Sequence, residues 1–105
     1  MELFKRFEIL LPLQHNDGSP VDEILVNQTW KELVARFQAV TVEPSPLRGI
    51  WIHEGREYED TLIRLVVDTE DTPEVREFLT SFKNTLKARF EQLDVWITAH
   101  PIEIL

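Results

Sequence analysis

The two halves of this chain follow one plan at a spacing of 53 residues, and this spacing constrains the fold more than any motif does. A gap-free shift by that distance matches Ser19-Pro20 with Thr72-Pro73, Leu33 with Leu86, Ala35-Arg36-Phe37 with Ala88-Arg89-Phe90, and Val42 with Val95. The identities are only about twice as many as ordinary residue frequencies produce by chance. They do not establish a common ancestor, but each half fits a strand–helix–strand unit.

The first half opens with a predicted strand. Every second residue is apolar in the second part of residues 4–13, which is the period of a strand. Pro12 has no N–H to donate to a neighbouring strand, so strand pairing is predicted to end near it. Ser19 then predicts an N-cap, with Pro20 at the first helical position. An apolar stripe with a period of about four residues predicts that this helix runs to about residue 37.

A β-hairpin is predicted in the middle of the chain. Residues 39–43 and 49–53 have strand character, and the prolines within residues 44–46 interrupt them. Glu54-Gly55 is a hairpin turn signal, and residues 56–67 form the predicted return strand.

The second half ends with a helix and a strand. Thr72 is a predicted cap for a helix over residues 73–91, which has the cleanest apolar stripe of the chain. A last strand is predicted over residues 93–99, where His100-Pro101 breaks it. The tail, residues 101–105, is apolar enough that we expect it to dock.

The element order β-α-β-β-α-β predicts one domain of residues 1–105 with an α+β, ferredoxin-like fold. In such a sandwich both helices cover one face of an antiparallel sheet. Right-handed crossovers place the first and third strands in the middle.

This fold predicts a helix-facing and an open side for every strand. The more aliphatic set is predicted to be the core side: Ile9, Leu11, Ile50, Ile52, Ile63, Leu65, Val95 and Ile97. The open face then contains Arg6, Glu8, Leu10, Trp51, His53, Leu62, Arg64, Val66, Trp96, Thr98 and His100. This mixture of two tryptophans, two histidines, aliphatic residues and a central arginine is unusual for a solvated surface.

Two interpretations of the open face stay open. Exposed apolar patches mark interfaces, and Trp and Arg are frequent in them, so a homodimer that buries this face is expected. The second interpretation is a small-molecule pocket. The interface or ligand candidates are Trp51, His53, Arg64, Trp96 and His100.

Composition narrows the classes of function. The net charge of −8 disfavours binding to nucleic acid and to anionic membranes. The chain has no cysteine and no apolar segment long enough for a membrane span, and a cytoplasmic location is expected. No phosphate loop, nucleophile elbow or zinc-protease motif occurs, so we expect no cofactor and no metal site, and we assign no catalytic residue.

Several short motifs resemble a known group of proteins. They are Gly49-Ile50-Trp51, Gly55-Arg56-Glu57-Tyr58, and the segment from Lys83 to Gln92 followed by Val95, together with Trp30 and Arg36-Phe37. The pattern resembles families of short bacterial proteins of unknown function, and the resemblance implies a ferredoxin-like sheet. The expected function is a self-associating, non-enzymatic interaction or ligand-sensing module. The alternative is a small enzyme of the dimeric α/β-barrel type, with His53, Arg64 or His100 beside Trp51 and Trp96.

Overall fold

The computed structural model describes residues 3–105 and shows a four-stranded antiparallel sheet with two helices. Its elements are β1 (Phe4–Pro12), α1 (Glu23–Phe37), β2 (Thr41–His53), β3 (Arg56–Glu70), α2 (Pro73–Arg89) and β4 (Ile97–Pro101). The strand order is β2-β3-β1-β4. The ferredoxin-like α+β fold is therefore confirmed, with the first and third strands in the centre. Within the described residues, no helix is long and apolar enough to cross a membrane.

The core lies between the two central strands and the helices. Alternate residues of β1 and β3 face the helices, and their side chains are buried: Phe7, Ile9, Leu11, Ile63, Leu65 and Val67. Leu33 of α1 and Leu86 of α2 pack into one cluster with these residues except Phe7, which forms a second cluster with Val75 and Leu79 of α2. Complete burial of such a side chain stabilises the fold by about 1.5–3 kcal/mol, so these residues stabilise the packing of the central strands against the helices.

The start of α1 differs from the prediction. Asp22, not Ser19, is the N-cap, because its carboxylate accepts from the backbone N–H of Ile24. Ser19 lies in the preceding loop, where its hydroxyl donates to Asp17 and its carbonyl accepts from the N–H of His15. The Ser-Pro pair therefore belongs to a loop, and the matched Thr-Pro pair alone caps a helix.

The second helix begins where its sequence predicts. The hydroxyl of Thr72 accepts from the N–H of Val75 at 3.2 Å, and Pro73 occupies the first turn. The helix ends at Arg89 rather than at residue 91. There Arg89 donates two hydrogen bonds to Glu32, at 2.8 and 2.9 Å, and one to the buried hydroxyl of Thr29 at 3.0 Å, which ties α2 to α1.

The β2–β3 hairpin extends beyond the rest of the sheet. It turns at Glu54 and Gly55, both with positive φ as a type I′ turn requires, and its register shifts between Glu43 and Leu47, where the two prolines lie. Since β1 pairs with β3 only from Leu62 to Glu70, residues 47–61 form a two-stranded protruding ribbon.

This ribbon corrects one part of the predicted core. Ile50 and Ile52 lie on the same side of the sheet as the core residues of β3, but they are 58% and 73% exposed. Their side chains remain in solvent because α1 and α2, the helices of the described chain, do not cover this part of the sheet.

The last strand also differs from its prediction. It spans Ile97–Pro101, so His100 and Pro101 lie within it, with His100 opposite Arg6. The expected docking of the tail is wrong beyond its first residues. Ile102 is half-buried, whereas Ile104 and Leu105 are exposed.

Candidate functional site

The face of the sheet away from the helices contains the strand residues that the alternation of side chains assigns to the open side. The register pairs Leu10 with Arg64, and Glu8 with both Val66 and Thr98, so these side chains share one side. The face divides into two regions of different chemistry. Its centre is charged, and its end at the protruding ribbon is aromatic.

Ion pairs connect the charged centre. Arg64 Nη1 lies 3.0 Å from Glu43 Oε2, and Arg64 Nε lies 3.6 Å from Glu8 Oε2. His100 Nε2 is also 3.6 Å from Glu8 Oε2, and it lies 2.9 Å from the hydroxyl of Thr98. Arg64 and His100, two predicted site residues, are thus linked through Glu8 in a polar network.

A second ion pair extends this polar region along the sheet. Arg6 donates two hydrogen bonds to Asp68, each of 2.9 Å, across the paired strands β1 and β3. These hydrogen bonds lower the pKa of the Asp68 carboxyl and raise the pKa of Arg6. The centre of the face is therefore a network of paired charges rather than an apolar patch.

Trp51 organises the aromatic end. Its ring stacks on that of Tyr58, with centroids 4.5 Å apart and an interplanar angle of 17°, and its indole N–H donates to Asp60 at 2.5 Å. The imidazole of His53 lies 6.2 Å from the indole. Stacking on one side and a hydrogen bond at the edge hold Trp51 in one orientation.

A cavity of about 830 Å³ adjoins this aromatic end. It lies where β1 ends, so that the adjoining part of β3 has no strand on that side within the described chain. Its lining is mainly apolar, with Leu10, Pro12, Leu62, Trp51 and Trp96. This volume is in the range of small-molecule pockets.

The structure separates the five predicted site residues into two groups. Trp51, His53 and Trp96 line the cavity, whereas Arg64 and His100 belong to the polar network. The enzyme interpretation placed His53, Arg64 or His100 beside both tryptophans. Of these three residues only His53 is there, and the structure offers no support for the enzyme.

Several residues that line the cavity were not predicted as site residues from the sequence. Lys83 and Lys87 of α2 reach the cavity, as do Gly49 and Asp60 of the hairpin. Each lysine follows an apolar stripe residue, and this position beside the stripe was the available signal that they flank the core.

Metal-ligand groups are not assembled by the described residues. Within residues 3–105 there is no cluster of three or more His, Cys, Asp or Glu side chains that could hold an ion. His53 has Glu54 at 3.8 Å, and both side chains are largely exposed.

Sequence comparisons find no relative for this chain, whereas comparisons of structure do. No family model matches it, and no curated protein matches it. CutA1 from Oryza sativa is similar with a TM-score of 0.68 and 15% identity, over 99% of this chain and 84% of that one. The divalent cation tolerance protein Cut A1 from Thermus thermophilus is similar with a TM-score of 0.67 and 23% identity, over 97% and 86% of the two chains.

These similarities qualify the resemblance drawn from the motifs. The ferredoxin-like fold that it implied is confirmed, but the similar structures have a family name of their own, so "unknown function" does not describe them. One of them comes from a plant, so a bacterial origin does not follow either. At these identities the likeness establishes that this chain has the fold seen in CutA1 proteins.

Proposed function

We propose that this protein is a non-enzymatic module that self-associates through its protruding ribbon, most simply as a homodimer. The observation that carries the proposal is the exposure of Ile50 and Ile52 on a strand at the edge of the sheet. Large apolar side chains in such a position lower the free energy when a second surface covers them.

The edge itself supports this proposal. The outer side of β2 has no strand partner within the described residues, so it presents free backbone donors and acceptors. Pro44 and Pro46 blunt the first part of that edge, because proline has no N–H. Over residues 47–53 the only Lys, Arg, Asp or Glu is Arg48, which pairs with Glu59. This segment is therefore open to pairing with an identical segment.

Symmetry makes a second copy the natural partner. Two antiparallel β2 edges place the same residues against each other around a two-fold axis, as in most homodimers. The sheets of two copies would then be continuous, and the exposed isoleucines of both would pack side by side on one face of the joined sheet. Trp51 and His53, which alternate with them along β2, would lie on the other face of the joined sheet.

The name of the similar Thermus protein, divalent cation tolerance, raises cation binding as a further possibility. The described residues of one chain contain no three-ligand cluster to carry it. Our proposal therefore rests on association, and a cytoplasmic location stays a prediction.

Sedimentation velocity tests the proposal. Wild type is expected to change from monomer to dimer as its concentration rises, and Ile52→Lys is expected to remain monomeric, because a lysine would bring a charge into the contact. Ile24→Lys is the matched control, since Ile24 is 69% exposed but lies on α1.

The control should dimerise like wild type. A wild type that stays monomeric throughout would refute self-association. Equal behaviour of Ile52→Lys and Ile24→Lys, with wild type dimeric, would refute this choice of surface.

A further inference from the structure

We infer that the cavity beside Trp51 and Trp96 binds a small aromatic carboxylate. This inference goes beyond the proposed self-association and does not depend on it. The cavity lies on the side of β3 where β1 ends, whereas the proposed contact uses the outer edge of β2. Ile50 lines the cavity and also belongs to the proposed contact, whereas Ile52 does not line the cavity, so the two surfaces adjoin at Ile50.

The size and the lining of the cavity indicate an aromatic body. A volume of about 830 Å³ exceeds what one or two waters need, and Leu10, Leu62 and Pro12 supply an apolar surface. Trp51 and Trp96 add two indole rings, and Trp96 is 60% exposed. Flat ring systems pack favourably on aromatic side chains, so a planar ligand fits this chemistry best.

The absence of a side chain at Gly49 helps to keep the cavity open. A Cβ at this position would lie 3.1 Å from Leu62 Cδ1, closer than ordinary van der Waals contact. Even an alanine would press on a lining residue, and a larger side chain would occupy space that a ligand could use.

The charged groups around the cavity favour an anion. The lining contains two lysines and two aspartates, so its formal charges balance, but their partners differ. Asp60 accepts from the Trp51 indole, and Asp94 pairs with Lys83 at 3.1 Å. Lys87, by contrast, has no ion-pair partner among residues 3–105. Its ammonium group is therefore available to a carboxylate, although the whole chain carries −8.

Nuclear magnetic resonance with a matched ligand series tests this inference. The probes are 2-naphthoate, the neutral 2-naphthamide and the cationic 2-naphthylmethylammonium, which share one ring system. The chain has three tryptophans, so its indole N–H signals report on three places at once. Naphthoate should shift the signals of Trp51 and Trp96 and leave that of Trp30, which lies on α1, unchanged.

The order of affinities should be naphthoate, then naphthamide, then the ammonium compound. Lys87→Gln should weaken naphthoate about fivefold, as expected for a partly exposed ion pair, and leave naphthamide unchanged. Trp96→Ala should weaken both about tenfold through lost ring packing. Lys31→Gln is the charge control, because Lys31 lies on α1 and does not line the cavity.

Several results would overturn the inference. They are the absence of binding, equal affinity for all three probes, a shift of Trp30 together with the other two signals, or equal losses in Lys87→Gln and Lys31→Gln. Should Trp96→Ala fail to fold, the probe series on wild type and the two lysine variants still decide the outcome. Naphthoate binding by Ile52→Lys separates the two proposals, because Ile52 does not line the cavity and this variant should bind naphthoate like wild type even when it is monomeric.

Discussion

The packed part of the sheet and its protruding ribbon have the same alternation of side chains but opposite surroundings. In the packed part, Ile63, Leu65 and Val67 point towards the helices and are buried. In the ribbon, Ile50 and Ile52 point to the same side of the same sheet and are exposed. Alternation therefore assigns a residue to a face, but burial also requires an element that covers this face.

Element lengths explain the difference. β3 has 15 residues and, at about 3.3 Å per residue, spans roughly 45 Å. α2 has 17 residues and, at about 1.5 Å per residue, spans roughly 26 Å. A helix that packs along such a strand cannot cover all of it, so about half of the hairpin extends beyond the helices.

Local contacts support the ribbon in place of a core. An isolated two-stranded hairpin is only marginally stable. Here the Trp51–Tyr58 stack, the Trp51–Asp60 hydrogen bond and the Arg48–Glu59 ion pair join its strands. These contacts are less buried than those of the core, and each should stabilise the fold less than its counterpart in the packed part.

The largest expected difference between the two regions concerns apolar truncation. Leu65→Ala should lower the free energy of unfolding by about 3 kcal/mol, because it leaves a cavity in the fully buried core. Ile52→Ala should lower it by less than about 0.5 kcal/mol, because no cavity forms at an exposed site. Urea unfolding at concentrations where the protein is monomeric measures both values. Similar losses would show that the ribbon is packed like the core.

Ion pairs should show the same contrast at a smaller scale. Arg89 is 11% exposed and bonds both Glu32 and the buried Thr29, so Arg89→Ala should cost about 2 kcal/mol. Arg48 is 71% exposed beside Glu59, and Arg48→Ala should leave the free energy of unfolding nearly unchanged, as is usual for a surface pair. Urea unfolding of both variants measures these losses, and a double-mutant cycle on Arg89 and Glu32 gives the coupling energy of the ion pair. A coupling energy near zero would contradict its role between the helices.

The smallest effect is expected in acid, at the end of β3 opposite the ribbon. Arg76 donates two hydrogen bonds to Asp71, with Lys5 at 3.4 Å, and together they lower the pKa of this carboxyl from 3.8 to about 2. Because the folded pKa is the lower one, the stabilisation is complete above pH 3.8 and is lost as the pH falls through about 2.

Urea unfolding of wild type and Asp71→Asn over this pH range provides the measurement. Wild type should be the more stable protein at a pH above the unfolded pKa, and the difference should shrink as the pH falls. A difference that does not depend on pH would mean that the charge of Asp71 is not what stabilises this end.

Local signals predicted the start of α2 and the turn of the hairpin. Thr72-Pro73 and Glu54-Gly55 are short-range devices, since a cap or a turn needs only its neighbouring residues. Ser19-Pro20 has the same composition as a cap and yet is not one. Pro20 forms an isolated β-bridge with Gln14, so the backbone there is extended rather than helical. The helix begins later, and Asp22 caps it.

The candidate site was predictable in part. The alternation of side chains along each strand predicted that Trp51, His53, Arg64 and His100 lie on the open face, because this alternation depends on backbone geometry alone. Which of them meet could not be inferred, since this depends on strand register and on where β1 ends. Lys83 and Lys87 line the cavity because α2 packs next to it. The alternation of residues along the strands carries no information about where a helix packs.

The 53-residue spacing and the apolar periods were sufficient to specify the element order and the face of each strand, because these properties arise from interactions between near neighbours. The separation of Trp51 and Trp96 from Arg64 and His100, the cavity and the exposed isoleucines of the ribbon arise only when strands of unequal length pair and helices of limited length cover them. Such features depend on contacts between residues far apart in the chain, and no local pattern contains them.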